Sequence, residues 1–419
     1  MDKIINHILA KKKLWIKAKG SSMLPLLQDK DLVHCQKFSF SKVKIDQIIV
    51  FTKAKEIITH RVIYKTPKYL ITKGDNNPKS DGRIYPKQII AKITQFKRRN
   101  KIFNLATIYL IQSSVYLQQI IKVKQALDKQ GLSYVFLKGL PLHLYYENVH
   151  PKRIYADCDV LVNQNDFAKA EQILLKQGYQ KAAKSLSPLQ QRLKTYEPES
   201  VYYKVLNGFM VTFDLHQEAV FMMTELGKLN ALYPNKLLQQ FTQECLASFR
   251  TVTYQSQSFR ILNPELLVVY LALHLFHHNF RGAFRYQFLD RVIQTEVKQK
   301  RVNWTKAKVI TDKYCLANYL YAAFWLLSKY YHALVPRSFI KSLKPTPFVL
   351  NRLNLKDIDI FSNQTRVKAG IQRFLYLFWL SPRFIFFRFL VFFNPLVIYT
   401  GLWAVYQYFS SLKFFYKRA

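Results

Sequence analysis

Over the first hundred positions, short β-branched runs recur with turn residues between them: residues 31–35, 47–51, 57–64, 69–72 and 88–93. Runs of that length and spacing predict strands of a small barrel or sandwich. At Ile102 the pattern changes. Apolar residues recur at helical spacing as far as Gln130, and Gly131 stops the run, so a long helix is predicted there. With 419 residues the chain is also too long for one ordinary core. The expected architecture is therefore multidomain. It has an all-β domain over 1–96, an α/β domain over 102–260 and a helical part over 261–419, with the basic run Lys97-Arg98-Arg99-Asn100-Lys101 as the first boundary.

Within the α/β stretch the spacing predicts a strand over 134–137, a Lys138-Gly139 turn and a short helix to about Tyr146. A strand is predicted next over 156–162, then a helix over 166–177 closed by Gly178. Asn207-Gly208 between residues 201–205 and 209–216 is a strong hairpin signal. Asn263 as an N-cap with Pro264 in the first turn opens the helical part. The Tyr and Phe residues of 316–332 are expected in its core.

Lysine and arginine number 64 against 25 acidic residues, a formal charge of +39, so an anionic partner is expected: nucleic acid, nucleotide phosphates or anionic lipid. The surplus is spread over the whole length, without helix-turn-helix or zinc-finger spacing, which argues against sequence-specific nucleic-acid binding. Cys35, Cys158, Cys245 and Cys315 are far apart and form no CxxC pair, which favours a reducing compartment over a disulfide or zinc scaffold. Met1 to Lys13 is too short and polar for a signal peptide, so a cytoplasmic location is expected. From Phe389 to Leu412 no residue is charged. That length allows a spanning helix, a segment lying on an anionic membrane surface, or a buried core helix.

Two constellations carry chemistry. In the first, Gly20-Ser21-Ser22-Met23-Leu24-Pro25 precedes Thr59-His60-Arg61-Val62-Ile63 and then Thr72-Lys73-Gly74-Asp75-Asn76-Asn77, with Asp81-Gly82-Arg83 beyond. A hydroxyl, an imidazole and carboxylates are the ingredients of a serine nucleophile, its general base and the acid that orients the base. Taken singly, each is more often an ordinary turn or strand residue. Together and in this order they resemble the signal peptidase family, in its archaeal and endoplasmic-reticulum branch, which uses histidine where the common bacterial branch uses lysine. The resemblance implies Ser22 as nucleophile, His60 as base, and Asp75 and Asp81 as orienting acids, with no cofactor. Two departures stand out: residues 1–19 hold no apolar anchor, and Gly20 offers no side-chain hydroxyl to an oxyanion hole, leaving backbone N–H groups and Ser21 to serve.

In the second, Phe136-Leu137-Lys138-Gly139-Leu140-Pro141 is followed by Arg153, by Asp157-Cys158-Asp159-Val160-Leu161-Val162, and by Asp214-Leu215-His216. Carboxylates at i and i+2 of a strand share a face, where they can hold Mg²⁺ against a nucleotide triphosphate, and Asp214 on another strand can complete the set. The block resembles the nucleotidyltransferase superfamily, within it a poorly characterised bacterial family. The resemblance implies that Lys138 and Gly139 cradle phosphate, that Arg153 contacts phosphate, and that Asp157, Asp159 and Asp214 bind metal. His274, His277 and His278, with Asp290 further on, could form a metal cluster, but lacking an intervening glutamate they are read as structural.

The resulting expectation is a bifunctional protein. A serine endopeptidase domain acting on a peptide or protein is fused to a Mg²⁺-dependent nucleotidyltransferase domain using a nucleoside triphosphate. The alternative is a non-catalytic adaptor that binds a peptide and a nucleotide.

Overall fold

The computed structural model describes residues 13–155, 158–183, 197–219, 229–403 and 406. Its first part is strand-rich. Strands β1 (Lys13–Lys17), β2 (Leu32–Gln36), β3 (Ile48–Lys53), β4 (Glu56–Lys65), β5 (Leu70–Lys73), β6 (Arg83–Ile84), β7 (Ile89–Arg98) and β8 (Lys101–Asn104) form one sheet. Its order is β1-β2-β7-β3-β4-β5-β6, with β8 on β7, and its pairings are antiparallel. Strand β3 shows why the sheet is covered on both sides. Its Ile48 and Val50 enter a core with Met23, Val33 and Phe96, while Ile49 and Phe51 enter a second with Val43, Val62 and Leu70. A two-residue period across an unbroken apolar run feeds both faces.

The first sheet runs on past residue 96, because Lys97-Arg98-Arg99-Asn100-Lys101, expected as a domain boundary, is a hairpin. Arg99 and Asn100 both take positive φ, 47° and 63°, and Arg98 pairs with Lys101 across the turn. The long helix α1 (Leu105–Lys129) consequently starts three residues later than its periodicity suggests, where the Asn104 side chain accepts from the N–H groups of Ala106 and Thr107. Its first turns place Leu105 and Tyr109 in the core of the first sheet, and its later turns place Tyr116, Ile120, Val123 and Leu127 in the core shared by the second sheet and the C-terminal helices. One rigid helix thus belongs to two cores.

The second part mixes helices with a sheet of order β11-β12-β13-β10-β9-β15-β14. The strands are β9 (Tyr134–Gly139), β10 (Cys158–Val162), β11 (Gln180–Lys181), β12 (Glu199–Leu206), β13 (Phe209–His216), β14 (Phe249–Tyr254) and β15 (Gln257–Leu262). The pairs β10 with β13 and β9 with β15 are parallel. Helices α2 (Leu140–Glu147), α3 (Phe167–Lys176) and α4 (Asn235–Ala247) belong to this part.

The rest of the described chain is helical: α5 (Pro264–His277), α6 (Ala283–Lys298), α7 (Trp304–Lys313), α8 (Ala317–Tyr331), α9 (Arg337–Ser342), α10 (Pro347–Leu353), α11 (Arg366–Leu380) and α12 (Ile385–Phe389). Helix α5 is buried nearly all round, which its uniformly apolar sequence requires. Tyr319, Tyr321 and Phe324 of α8 are core residues.

Contacts knit the first part to the last. Tyr64 of β4 packs on Tyr330, Tyr331 and Phe361, and its hydroxyl donates to the Tyr330 carbonyl at 2.7 Å. The Asn363 N–H donates to the Pro78 carbonyl at 2.6 Å, and the Ser80 N–H to the Ser362 hydroxyl at 3.0 Å.

Candidate functional sites

The turn after β1 carries Ser22, the middle of β4 carries His60, and the connection from β5 to β6 carries Asp75 and Asp81. The antiparallel run of β3, β4 and β5 brings these segments together. His60 Nε2 lies 3.0 Å from Ser22 Oγ, and His60 Nδ1 lies 2.8 Å from Asp81 Oδ2. With Nδ1–H given to the carboxylate, Nε2 is left as an acceptor for the serine proton. Asp81 is itself fixed: the Thr72 hydroxyl donates to the same Oδ2 at 2.7 Å, the Asp81 N–H donates to the Thr72 carbonyl at 2.9 Å, and the Lys53 ammonium donates to the Asp81 carbonyl. The imidazole is only 5% exposed and meets the ring of Phe51 edge-on.

The Ser22 turn is laced to the loop that follows β5. The Ser22 carbonyl accepts from Asn76 N–H at 2.8 Å, and the Asn76 side chain donates to the Ser21 carbonyl at 3.2 Å. Gly74 sits in the angle between them. A Cβ there would lie 2.7 Å from the Ser22 carbonyl oxygen and 2.9 Å from His60 Nε2, closer than any ordinary contact, so only glycine lets loop and base approach this closely. Gly20 needs a φ of +91° and gives its N–H to Asp29 at 2.9 Å.

Asp75, expected beside Asp81 as an orienting acid, pairs with Arg61, while Asp81 meets the imidazole. Its two oxygens accept from Arg61 Nε and Nη2 at 2.7 and 2.6 Å, a bidentate pair that competes successfully for the carboxylate. Arg61 is 5% exposed, and also donates through Nη1 to the carbonyls of Asp46 and Lys152 and to the Tyr109 hydroxyl. Burial opposes its charge, but Asp75 and Tyr109 hold its pKa above the ordinary arginine value. Ser21 is exposed, whereas Asn77 lines the groove in front of Ser22. That groove has a volume of about 1020 Å³ and runs between residues 14–20 and 56–60.

The second centre lies where β9 and β13 end and β10 begins. Asp159 and Asp214 are direct partners across the parallel pair, so their side chains leave the sheet on one face. Asp159 is 3% exposed. Lys138 Nζ stands 2.5 Å from its Oδ2 and His216 Nε2 stands 2.9 Å from its Oδ1. Burial would depress the protonated form of His216, but Asp159, then Glu199 and Asp214, raise its pKa above the usual imidazole value. Gly139, with φ 112° and ψ −164°, ends β9 in a backbone region reserved for glycine and opens α2. A cavity of about 450 Å³ takes in Lys138, Arg153, Asp159, Glu199, Asp214 and His216 on one side. Its other wall comes from the helical part and includes His274, His277, His278 and Arg285. Asp157 lies outside the described residues.

A sequence model of a family described as uncharacterised nucleotidyltransferases matches residues 99–332, more than half of the chain. The chain belongs to this family. No curated protein and no solved structure matches it. The nucleotidyltransferase family region therefore contains Lys138, Gly139, Arg153, Asp159 and Asp214, and it reaches into α8.

Hard carboxylate oxygens suit Mg²⁺, and the placing of a lysine ammonium and a protonatable imidazole on Asp159 shows that the spot attracts positive charge. Asp159 and Asp214 supply donors of that kind on one face of the sheet. Among the described residues no three His, Cys, Asp or Glu groups are already drawn together as a complete metal set.

Arg153 stacks over Tyr155 and Phe284, 5.3 and 4.5 Å from their ring centres, which holds its guanidinium in the cavity wall. Asp290 is away from the histidines, accepting from Gln294 at 2.7 Å. Burial pushes its pKa up. The sequence pattern assigns no role to Thr72, Arg61 or His216. Each lies within one of the motifs that carry the chemistry, and Arg61 and His216 each follow a site residue closely enough to be tested as its partner. Glu199 and Arg285 have no local signal.

Proposed function

We propose that the chain is a bifunctional enzyme: a signal-peptidase-like serine endopeptidase joined to a Mg²⁺-dependent nucleotidyltransferase. The observation that carries the first activity is the unbroken chain of contacts from Ser22 through His60 to Asp81. Ser22 Oγ attacks the scissile carbonyl carbon as its proton passes to His60 Nε2. The imidazolium, stabilised by Asp81, then gives that proton to the departing amine, and water releases the acyl group from Ser22 by the same route. The N–H of Ser22 and the side chain of Asn77, which lines the same groove, would serve as oxyanion donors. A groove bordered by a sheet-edge strand suits a substrate in extended conformation.

Family membership, together with the Asp159–Asp214 pairing, supports the second activity. Asp159, Asp214 and Asp157 would hold Mg²⁺, which supplies charge neutralisation for phosphoryl oxygens. Lys138, the Gly139 backbone and Arg153 bind and orient the phosphates.

Two measurements test the proposal. Labelling of the full chain by a fluorophosphonate serine probe, and its loss in Ser22→Ala, tests the peptidase; equal labelling of both proteins would refute it. Nucleoside triphosphate binding by calorimetry, with and without Mg²⁺, tests the transferase. Binding that survives Asp157→Ala plus Asp159→Ala would refute the assigned site. Ligand binding at both sites without turnover would favour the adaptor reading instead.

A further inference from the structure

The end of the described chain exposes apolar surface that a water-soluble surface would hide. Phe384, Phe386 and Phe393 are 81%, 75% and 79% exposed, and Leu402 and Trp403 are exposed beside them. Two apolar helical pieces, Ile385–Phe393 and Pro395–Trp403, meet at a bend of 71°. The bend is built in. The Asn394 side chain caps the second piece by accepting from the N–H groups of Leu396 and Val397 at 2.9 and 3.4 Å.

The pair is also mounted firmly on the body. Arg388 donates through Nη1 to the carbonyls of Phe378 and Trp379, at 3.0 and 3.2 Å, at the end of α11, and through Nε to the Arg383 carbonyl at 2.8 Å. Phe378 packs on Phe389 and Phe392. One side of the pair is therefore fixed to the protein while the other presents aromatic rings outward.

We infer that this bent pair is an in-plane membrane anchor that enters one leaflet of a bilayer containing anionic phospholipid. Each piece is roughly 14 Å long at helical rise, about half of a hydrocarbon core of roughly 30 Å. No described single helix is long and apolar enough to cross a membrane. A shallow, aromatic wedge whose cation, Arg388, is bonded back to the body is the geometry of monotopic insertion. Charge selects the occupant. With a formal charge of +39 the chain is attracted to an anionic lipid surface and repelled by a second copy of itself. A protein partner would have to match a 24-residue stretch, Phe389 to Leu412, that offers it no charged residue for orientation.

The test is flotation of the full chain with vesicles of phosphatidylcholine alone or mixed with phosphatidylglycerol. The protein floats with the mixed vesicles, with about tenfold weaker partition on phosphatidylcholine alone or in high salt. The double substitution Phe386→Ser and Phe393→Ser lowers partition by about a hundredfold at unchanged Tm. Lipid brominated along its chains quenches tryptophan fluorescence in the wild type, and Trp403→Phe removes most of that quenching. Absence of wild-type flotation overturns the proposal, as does flotation unaffected by the phenylalanine changes. Capture by another protein or self-association, with no vesicle binding, overturns it equally. If the double variant fails to fold, the wild-type flotation and the Trp403 quenching still decide.

Discussion

His60 Nε2 stands 3.0 Å from Ser22 Oγ although 38 positions separate them in the chain. Because both side chains leave elements of one sheet and its adjoining turn, the contact comes with the fold and needs no substrate to form it. In the proposed peptidase the base, already within reach of its nucleophile, has no reorganisation to complete before attack.

Substituting Asp81 by Asn therefore lowers the rate of serine-probe labelling by about 10³- to 10⁴-fold, since an amide at that position can orient the wrong tautomer. Thermal melting of the Asp81→Asn protein changes little, because shape and most hydrogen bonds are kept. Unaltered labelling would show that the Asp81–His60 contact has no catalytic part.

Asp75→Asn has the opposite signature. It removes the carboxylate from a buried guanidinium and costs about 2–3 kcal/mol of stability, read as a lower urea midpoint. At temperatures where the protein stays folded, labelling falls less than about tenfold. A loss as deep as that of Asp81→Asn would restore Asp75 as an acid of the centre.

Gly74→Ala places a methyl group 2.9 Å from His60 Nε2 and 2.7 Å from the Ser22 carbonyl. Loop and imidazole must separate, and labelling drops by at least about a hundredfold, as a displacement on the order of 1 Å is enough to cause. An unchanged rate would mean that the loop yields without moving the base.

Asp214→Asn keeps size and removes one charge from the face shared with Asp159. The Mg²⁺-dependent part of nucleotide affinity then weakens by at least about tenfold, while affinity measured with a chelator present is unchanged. Calorimetric titration separates the two.

Acid destabilises the protein. Burial first, and then the neighbouring Lys138, Arg285 and Arg373, hold His274, His277 and His278 well below the ordinary imidazole value of 6.5. Burial and Arg153 bring His143 down to about 3. These rings stay neutral in the folded protein and take up protons on unfolding, so their stabilisation is complete above pH 6.5 and is lost as pH falls below it. His216, raised, works the other way: its share is full below its unfolded value and lost as pH rises through its folded one. Four rings outweigh one. Each contributes up to about 1.4 kcal/mol per pH unit, so urea midpoints decline steadily from neutral pH to about pH 5. A flat profile would contradict the buried neutral state.

The order of elements was legible in the sequence because β-branched runs and helical periodicity report local preference. Hairpins were legible only where their turn residues are conventional. Asn207-Gly208 announces itself, but Ala54-Lys55, Arg99-Asn100 and Gln255-Ser256 make two-residue turns of the same kind with positive φ at both positions, and side chains there usually argue against such turns. That is why the basic run at 97–101 reads as a domain boundary and why the hairpin from Phe249 to Leu262 has no signal. The Ser22, His60 and Asp81 boxes could be read as candidates. The partner of Asp75 could not, since choosing between His60 and Arg61, adjacent in sequence and on opposite faces of one strand, requires knowing where the loop lies in space.

The seam between Tyr64 and the aromatic trio Tyr330, Tyr331 and Phe361 means that neither half of this chain is a detachable module. Cutting after Asn104 would bare a ring cluster and strip the Pro78–Ser80 segment of its supports at Ser362 and Asn363. The segment that carries Asp81 at one end thus borrows its rigidity from residues nearly three hundred positions away.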